Sequence, residues 1–516
     1  LVFAGTFKQL SIEKQENSMV GKLANSVIFV LIIIVLMGCN LTTGAPVTAA
    51  VPPIGPTNSP TDLVLPATPN PTGVPTAQAT STPASTATSA APADAVVVDT
   101  LDQEVYPFKA NGNCSLGEAI QTIVTQQAQD KCVLPAGSTT IYLPAGTYSL
   151  TQSDNAPAVL FGHMQQKNRE GLFPAGFPLI TSKLTIIGNG ATIQRTGSTK
   201  FGIFQVFVGG DLTLQDLTIS NGDTTQDHDS SGAGVDVLGG TVLLEHVTLN
   251  GNQAFQGGAI ANNVPGSEVK LMDSVVTNNS SLDDGGGIYN SGTLIIQNSE
   301  ISNNTSRNTV FGGGGIYNDG NGQVTLDHSQ LVGNLALEGG GLYNNGGSIN
   351  IINQSVISGN VATEQKAFIP HGGGGINNNP SGTVTVDQSF VLGNQAAGTT
   401  GGGIYNQASL KVTGSVLAGN ISGSGGAVYN DSQGTGSISS SCILDNQVLL
   451  AHTAGLGNGI VNDNTAAFDA RQNWWGTPGG PGNSVSPGVT AAPYLNAAAG
   501  LCASALPTPF PTPAGP

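Results

Sequence analysis

Two kinds of side chain in this sequence could do chemistry: carboxylates set close together, and tyrosines set at a regular interval. Asp283 and Asp284 are adjacent, and hydrolysis of a glycosidic bond needs two carboxyl groups flanking one linkage at a defined separation. A second group, Asp223, Asp227, Asp229 and Asp236, surrounds His228. Hard oxygen ligands of this kind hold Ca²⁺, with Asp223, Asp227 and Asp229 as the candidate ligands. A calcium-dependent lyase would also need an Arg or Lys base, and no basic residue stands near them in the sequence. A solvated acidic loop is the simpler account, and no cofactor is expected beyond that Ca²⁺ candidate. The tyrosines are Tyr289, Tyr317, Tyr343, Tyr405 and Tyr429, each following an apolar residue in a recurring Gly-rich motif. Where Tyr is absent, its slot holds Asp236, Ala261 or Asn377. A slot that takes Asp and Asn is expected to face outward, so the five rings should form an exposed ladder. Such a row either stabilises a sheet by cross-strand stacking, at a few tenths to about 1 kcal/mol per pair, or binds sugar rings.

The element that must position these residues is a repeat. Aligned on the apolar residue of Gly285-Gly286-Gly287-Ile288-Tyr289-Asn290, copies recur at Val235, Ile260, Ile288, Ile316, Leu342, Ile376, Ile404 and Val428, spaced 24 to 34 residues apart. A period of this size, with short β-type runs separated by Gly and Asn turns, predicts a solenoid of about ten coils whose neighbours bury one another's apolar faces. Period-2 alternation puts Leu294 with Ile296, Val324 with Leu326, Ile349 with Ile351 and Val384 with Val386 on the bore. A second register mark, Asn252, Asn279, Asn304, Asn334, Asn360, Asn394, Asn420 and Asn446, closes each coil. Asn tolerates the left-handed backbone of a turn, and its amide can bond its neighbours along a stack. The parallel series Ser274, Ser299, Ser329, Ser355, Ser389, Ser415 and Ser441 reads as structural in the same way.

Insertions concentrate at the turn before the tyrosine strand, over 223–231, 305–311 and 361–371. Loops beside a fixed scaffold are where recognition is placed, and Arg307, Phe311, Lys366, Phe368 and His371 would share that edge. A solenoid's ends are open sheet edges that need covering. The capping-box pattern Ser115-Leu116-Gly117-Glu118 predicts a helix through Ile120 and Ile123 at the first end, and Trp474 and Trp475 are expected in the cover of the second. Of the five cysteines, four are candidates for two bridges in an oxidising compartment. Three connectivities are open to them, and Cys114–Cys132 with Cys442–Cys502 is expected because each pair is local to one end.

The termini differ in character from the repeats. Lys22, an apolar run from Val27 to Met37 and Leu36-Met37-Gly38-Cys39 read as an export signal ending in a lipobox, with Cys39 lipidated. The expected organisation is 1–39 upstream segment and signal, 40–94 a Pro/Thr/Ser/Ala-rich disordered linker, 95–183 cap and first coils, 184–470 the β-helix repeats, 471–506 a C-terminal cap and 507–516 a disordered Pro-rich tail. The protein is expected at the cell surface or outside the cell, held to membrane only through the lipid. A formal net charge of −17 repels a phosphate backbone, which excludes nucleic acid as a partner.

Cys114-Ser115-Leu116-Gly117-Glu118-Ala119-Ile120, followed by Leu143-Pro144-Ala145-Gly146-Thr147-Tyr148, resembles exported bacterial right-handed parallel β-helix proteins with a CSLREA-type motif, of the pectin-lyase-like fold class. Gly117 stands where that motif has Arg. Gly257 to Ile260 is similar to repeats of polymorphic outer-membrane proteins, and Asn473-Trp474-Trp475-Gly476 looks like an end-of-helix motif of such folds. The resemblance spans about 95–505 and implies an all-β, single-stranded, right-handed parallel β-helix. Because this fold hosts enzymes and binders alike, it implies no activity. Asp283-Asp284 and His371-Gly372 superficially match elements of polygalacturonase-type hydrolases, but they lie far apart and the Asn-Thr-Asp and Arg-Ile-Lys elements are missing. The expectation is a monomeric, non-catalytic protein that binds polysaccharide or another surface ligand through Tyr289, Tyr317, Tyr343, Tyr405, Tyr429, Phe311 and Phe368. The alternatives are a polysaccharide lyase or glycoside hydrolase, and a purely structural surface protein.

Overall fold

Alternation of apolar and polar residues in runs of three to five decides the cross-section of the molecule. Ile288, Leu294, Ile296 and Ile301 from one coil are all fully buried, and in strands of period 2 they point the same way, into a shared bore. A computed structural model describes residues 90–154, 174–226, 228, 230–308, 311–363, 372–449 and 457–503. The expected signal with Cys39, most of the expected linker and the 507–516 tail, and Asp227, Asp229, Lys366, Phe368 and His371 lie outside the described residues. What is described is an all-β parallel solenoid. One coil comprises the strands Ile288–Asn290, Thr293–Gln297, Glu300–Ser302 and Thr305–Ser306, and the next coil repeats them.

Stacked coils make three sheets. A ten-stranded sheet runs from Phe204–Phe207 to Ile460–Asn462 through the repeated apolar positions. Its register places Ile288 between Ile260 and Ile316, and Tyr289 between Ala261 and Tyr317. An eight-stranded sheet runs from Gln253–Ala254 to Gln447–Val448. In the largest sheet the long strands Lys183–Arg195 and Thr241–Asn250 span two tracks, which the coils on either side split between separate short strands. Leu294, Val324, Ile349 and Val384 stand in one column there, as alternation requires.

The corners explain the ladders. Asp273, Asn298 and His328 adopt left-handed φ of 49°, 49° and 47° where the long sheet bends, and Asn278 and Asn303 adopt 54° at the next corner. The residue after each is the ladder residue, so the ladder asparagines are not themselves the left-handed positions. Their work is inside: Asn279 Nδ2 donates to Asn304 Oδ1 at 3.0 Å, Asn304 to Asn334 at 3.0 Å and Asn334 to Asn360 at 3.0 Å. The serines bond similarly, the Ser274 N–H donating to Ser299 Oγ at 3.0 Å.

Both described ends are covered. Helix α1, Leu116–Thr125, opens with the expected capping box and buries Leu116, Ala119, Ile120 and Ile123. Gly117 is required there, since a Cβ would stand 2.6 Å from the carbonyl oxygen of Glu104. The Cys114–Cys132 bridge ties this cap, with Cα atoms 4.8 Å apart. At the other end Trp474 bridges to Cys442 and Val485 to Ile460. The Cys442–Cys502 bridge, with Cα atoms 5.7 Å apart, holds the last segment down.

Candidate functional site

The tyrosine slot lies on the outer side of the ten-stranded sheet, as alternation from Ile288 dictates, but it does not face solvent. Tyr343 and Tyr405 are 0% and 1% exposed, and Asp236, Ala261 and Asn377 are fully buried. Tyr317 and Tyr429 are buried too, leaving Tyr289 half-buried. The expectation of an exposed ladder is therefore corrected. The turns that precede each strand fold back as arches over the sheet, and the polar members of the slot find partners beneath them instead of water. Asp236 accepts from Ser231 Oγ at 3.0 Å, Asn263 Nδ2 at 2.6 Å and Gln205 Nε2 at 3.3 Å. Asn377 Nδ2 donates to Glu338 Oε2 at 3.2 Å and to the Gly372 carbonyl at 3.3 Å.

The rings stack on one another. Tyr289 and Tyr317 have centroids 5.6 Å apart and planes 8° from parallel, Tyr317 and Tyr343 are at 5.1 Å and 5°, and Tyr405 and Tyr429 are at 5.8 Å and 9°. Asn377 stands between the two stacks. Faces stacked along the rod cannot also lie flat against a sugar. The hydroxyls are tied across coils: Tyr289 donates to Asp319 at 2.9 Å, Tyr405 to Asp431 at 2.7 Å and Tyr429 to Asp463, while Asn379 donates to the Tyr343 hydroxyl. Burial first, then the neighbouring carboxylates, push the phenols of Tyr289, Tyr317, Tyr405 and Tyr429 well above the usual tyrosine range. Alanine at Tyr289, Tyr317 and Tyr343 together is expected to destabilise the rod by roughly 3 kcal/mol or more, given the buried area lost. A thermal melt checks this, and an unchanged melting temperature would mean the stack is not structural.

The arches carry the acids. Asn308 Nδ2 donates to Asp283 Oδ1 at 2.6 Å and to Asp284 Oδ1 at 2.8 Å, so one amide holds both. Asp284 is buried, which lifts its carboxyl up to about 7, with the charge of Asp283 second and the Asn308 bond opposing. Burial also raises Asp283, against a bond from Gln256. Backbone bonds lead from Asp284 through Gly312 and Glu338 to Gly372, one coil at a time. Gly372, the neighbour of His371, is thus three coils from Asp284, about 14 Å at the ordinary strand spacing. That exceeds the reach of two groups on one glycosidic bond.

The other candidates fall as follows. Asp223 meets the Arg195 guanidinium at 3.9 Å and the Lys200 ammonium at 3.5 Å. The coil before supplies the cations that local sequence lacks, so this carboxylate is ion-paired and the Ca²⁺ candidate loses its first ligand. His228 packs edge-on against Phe255. Among the described residues no three His, Cys, Asp or Glu side chains are placed to hold a metal ion. Phe311 is 43% exposed, with its ring 5.8 Å from that of Tyr343, and Arg307 is exposed too.

The sequence reading missed a second internal ladder. Asn262, Asn290, Asn318, Asn344, Asn378, Asn406, Asn430 and Asn462 pass amide bonds of 2.7 to 2.9 Å down the rod. Its signal was the last letter of the Ile-Tyr-Asn motif. Compared with family models, curated proteins and solved structures, the chain matches none.

Proposed function

We propose that this is a lipid-anchored surface protein, a right-handed β-helix of the CSLREA-type, pectin-lyase-like class, that binds polysaccharide or another surface ligand through its arch-bearing edge. One observation carries the choice of edge: the tyrosine faces are spent on one another, whereas Phe311 and Arg307 stay exposed in the segment that precedes the Ile316 strand. An exposed aromatic ring and an exposed guanidinium on one edge are a fitting surface for hydroxyl-rich rings. The full exported chain should be retained on one member of a panel of plant and microbial polysaccharides. Phe311→Ala with Arg307→Ala should weaken that retention about tenfold, a loss of about 1.4 kcal/mol. Retention indifferent to both changes would remove the edge from the proposal.

A glycoside hydrolase is the second reading, favoured by Asp284, whose carboxyl is held near 7 beside a second acid. Carboxyls raised in this way serve as general acids. New reducing ends released from a retained polysaccharide, and lost in Asp284→Asn, would establish it.

A further inference from the structure

The arches over the ten-stranded sheet hold their carboxylates in three different ways. Asp223 has Arg195 and Lys200. Asp236, fully buried, has three hydrogen-bond donors from Ser231, Asn263 and Gln205. Asp283 and Asp284 divide one amide of Asn308 between them, with Gln256 adding a bond to Asp283 at 3.2 Å. The titratable groups facing Asp284 are Asp283 on its own arch, Asp319 at the end of the next coil's strand, and the Tyr289 and Tyr317 phenols below. All of them are acids. Arg307, the cation on the adjoining arch, is exposed and reaches this one through its backbone, its N–H donating to the Ser281 carbonyl at 3.0 Å.

We infer that the arch of Ser281 to Gly285 is an acid-tightened latch over the tyrosine stack. With Asp284 protonated, the Asp283–Asn308–Asp284 bonds close the arch on Tyr289 and Tyr317. With both carboxylates charged, a buried anion and its half-buried neighbour share the Asn308 amide, Gln256 adding a bond to Asp283 alone, and the arch gains by lifting them into water. Lifting uncovers the edges of Tyr289 and Tyr317, whose hydroxyl side carries Asp319. This device stands whether or not the edge binds a glycan.

The sign follows from linkage. The carboxyl of Asp284 sits at about 7 when the arch is closed and near the ordinary aspartate value of about 4 when it is open. The closed state therefore holds the extra proton between those limits, and closure is firm below about pH 4 and weakens as pH rises to about 7. Above that it levels off.

Hydrogen exchange of the full chain at pH 5 and pH 8, corrected for intrinsic rates, tests this on peptides spanning 281–291 and 305–319. Each pKa unit is a tenfold change in the opening equilibrium, so opening should be at least tenfold greater at pH 8 and should level off above pH 7. Asp284→Asn should be equally protected at both pH values. Protection of the wild type that ignores pH, or an undiminished rise in Asp284→Asn, overturns the latch. Should that variant fail to fold, NMR titration of the wild-type Asp284 carboxyl decides: a midpoint near 7 supports the latch, and one near 4 overturns it.

Discussion

Replacing Asn334 by alanine is expected to cost the rod roughly 4 kcal/mol, a large share of the stability of an ordinary domain. Its Oδ1 accepts from the Asn304 backbone N–H at 2.9 Å and from Asn304 Nδ2 at 3.0 Å. Its Nδ2 donates to the Ile301 carbonyl at 3.0 Å and to Asn360 Oδ1 at 3.0 Å. Every partner is buried, so alanine strands a backbone donor, a backbone carbonyl and one amide proton where water cannot reach them. Each orphan costs about 1–3 kcal/mol. Asn345, an exposed asparagine whose amide meets Asp319 at 3.0 Å, is the control, and alanine there should cost no more than about 0.5 kcal/mol. Urea denaturation of the two variants measures the difference. Because coils unfold with their neighbours and not all at once, hydrogen exchange in the coils around residues 304 and 360 should localise it. Equal midpoints for Asn334→Ala and Asn345→Ala would show that the ladder contributes nothing beyond shape.

Gly286→Ala is expected to be as damaging, for a steric reason. In the segment before Ile288 four successive N–H groups point to the next coil: Gly285 to Gly312, Gly286 to Gly313, Gly287 to Gly314 and Ile288 to Gly315, at 2.9 to 3.1 Å. An ordinary strand alternates its donors between two neighbours. Here they share one direction, and the backbones close up until a Cβ on Gly286 would lie 2.4 Å from the Gly314 carbonyl oxygen and 2.4 Å from the Thr305 carbonyl carbon. Neither obstacle is a side chain that can turn aside, so whole coils must separate, at a cost of roughly 3–5 kcal/mol. Gly320, at φ 48° with nothing near its missing Cβ, isolates the conformational part. Gly320→Ala should lose only about 1–2 kcal/mol. Thermal melts of both variants compare the two effects, and a Gly286→Ala protein as stable as Gly320→Ala would mean that the coils are not packed as closely as described.

The ladders and the Gly-rich segment are stabilising devices repeated at every coil, so a change there perturbs the scaffold before it perturbs recognition. Residues on the arches differ from coil to coil: Asp284, Gly312, Glu338 and Gly372 succeed one another in a single column. Variants that separate the proposed binding from folding belong at Phe311 and Arg307, away from Tyr317 and Asn334.

What the sequence alone determined was the solenoid itself. The recurrence of Ile288, Ile316 and Leu342 set the coil length, the alternation at Leu294 and Ile296 set the bore, and the Ser115–Glu118 spacing set the capping helix. These are local signals with fixed periods, and stacking copies them without alteration, which is also why the pairing of Cys114 with Cys132 and of Cys442 with Cys502 was legible from their places at the two ends. Only the tertiary structure decided which outward positions meet water. Alternation correctly put Tyr289 and Asp236 on the outer side of their sheet, but period 2 reports direction and not depth, and the arches that roof them come from turns without periodicity. The same limit applies to Asp223, which looked unaccompanied in sequence and meets Arg195 and Lys200 from the coil before. In a solenoid a residue's closest neighbours lie about 28 positions away, so the charge and burial of a site are set by coils that no local pattern can see.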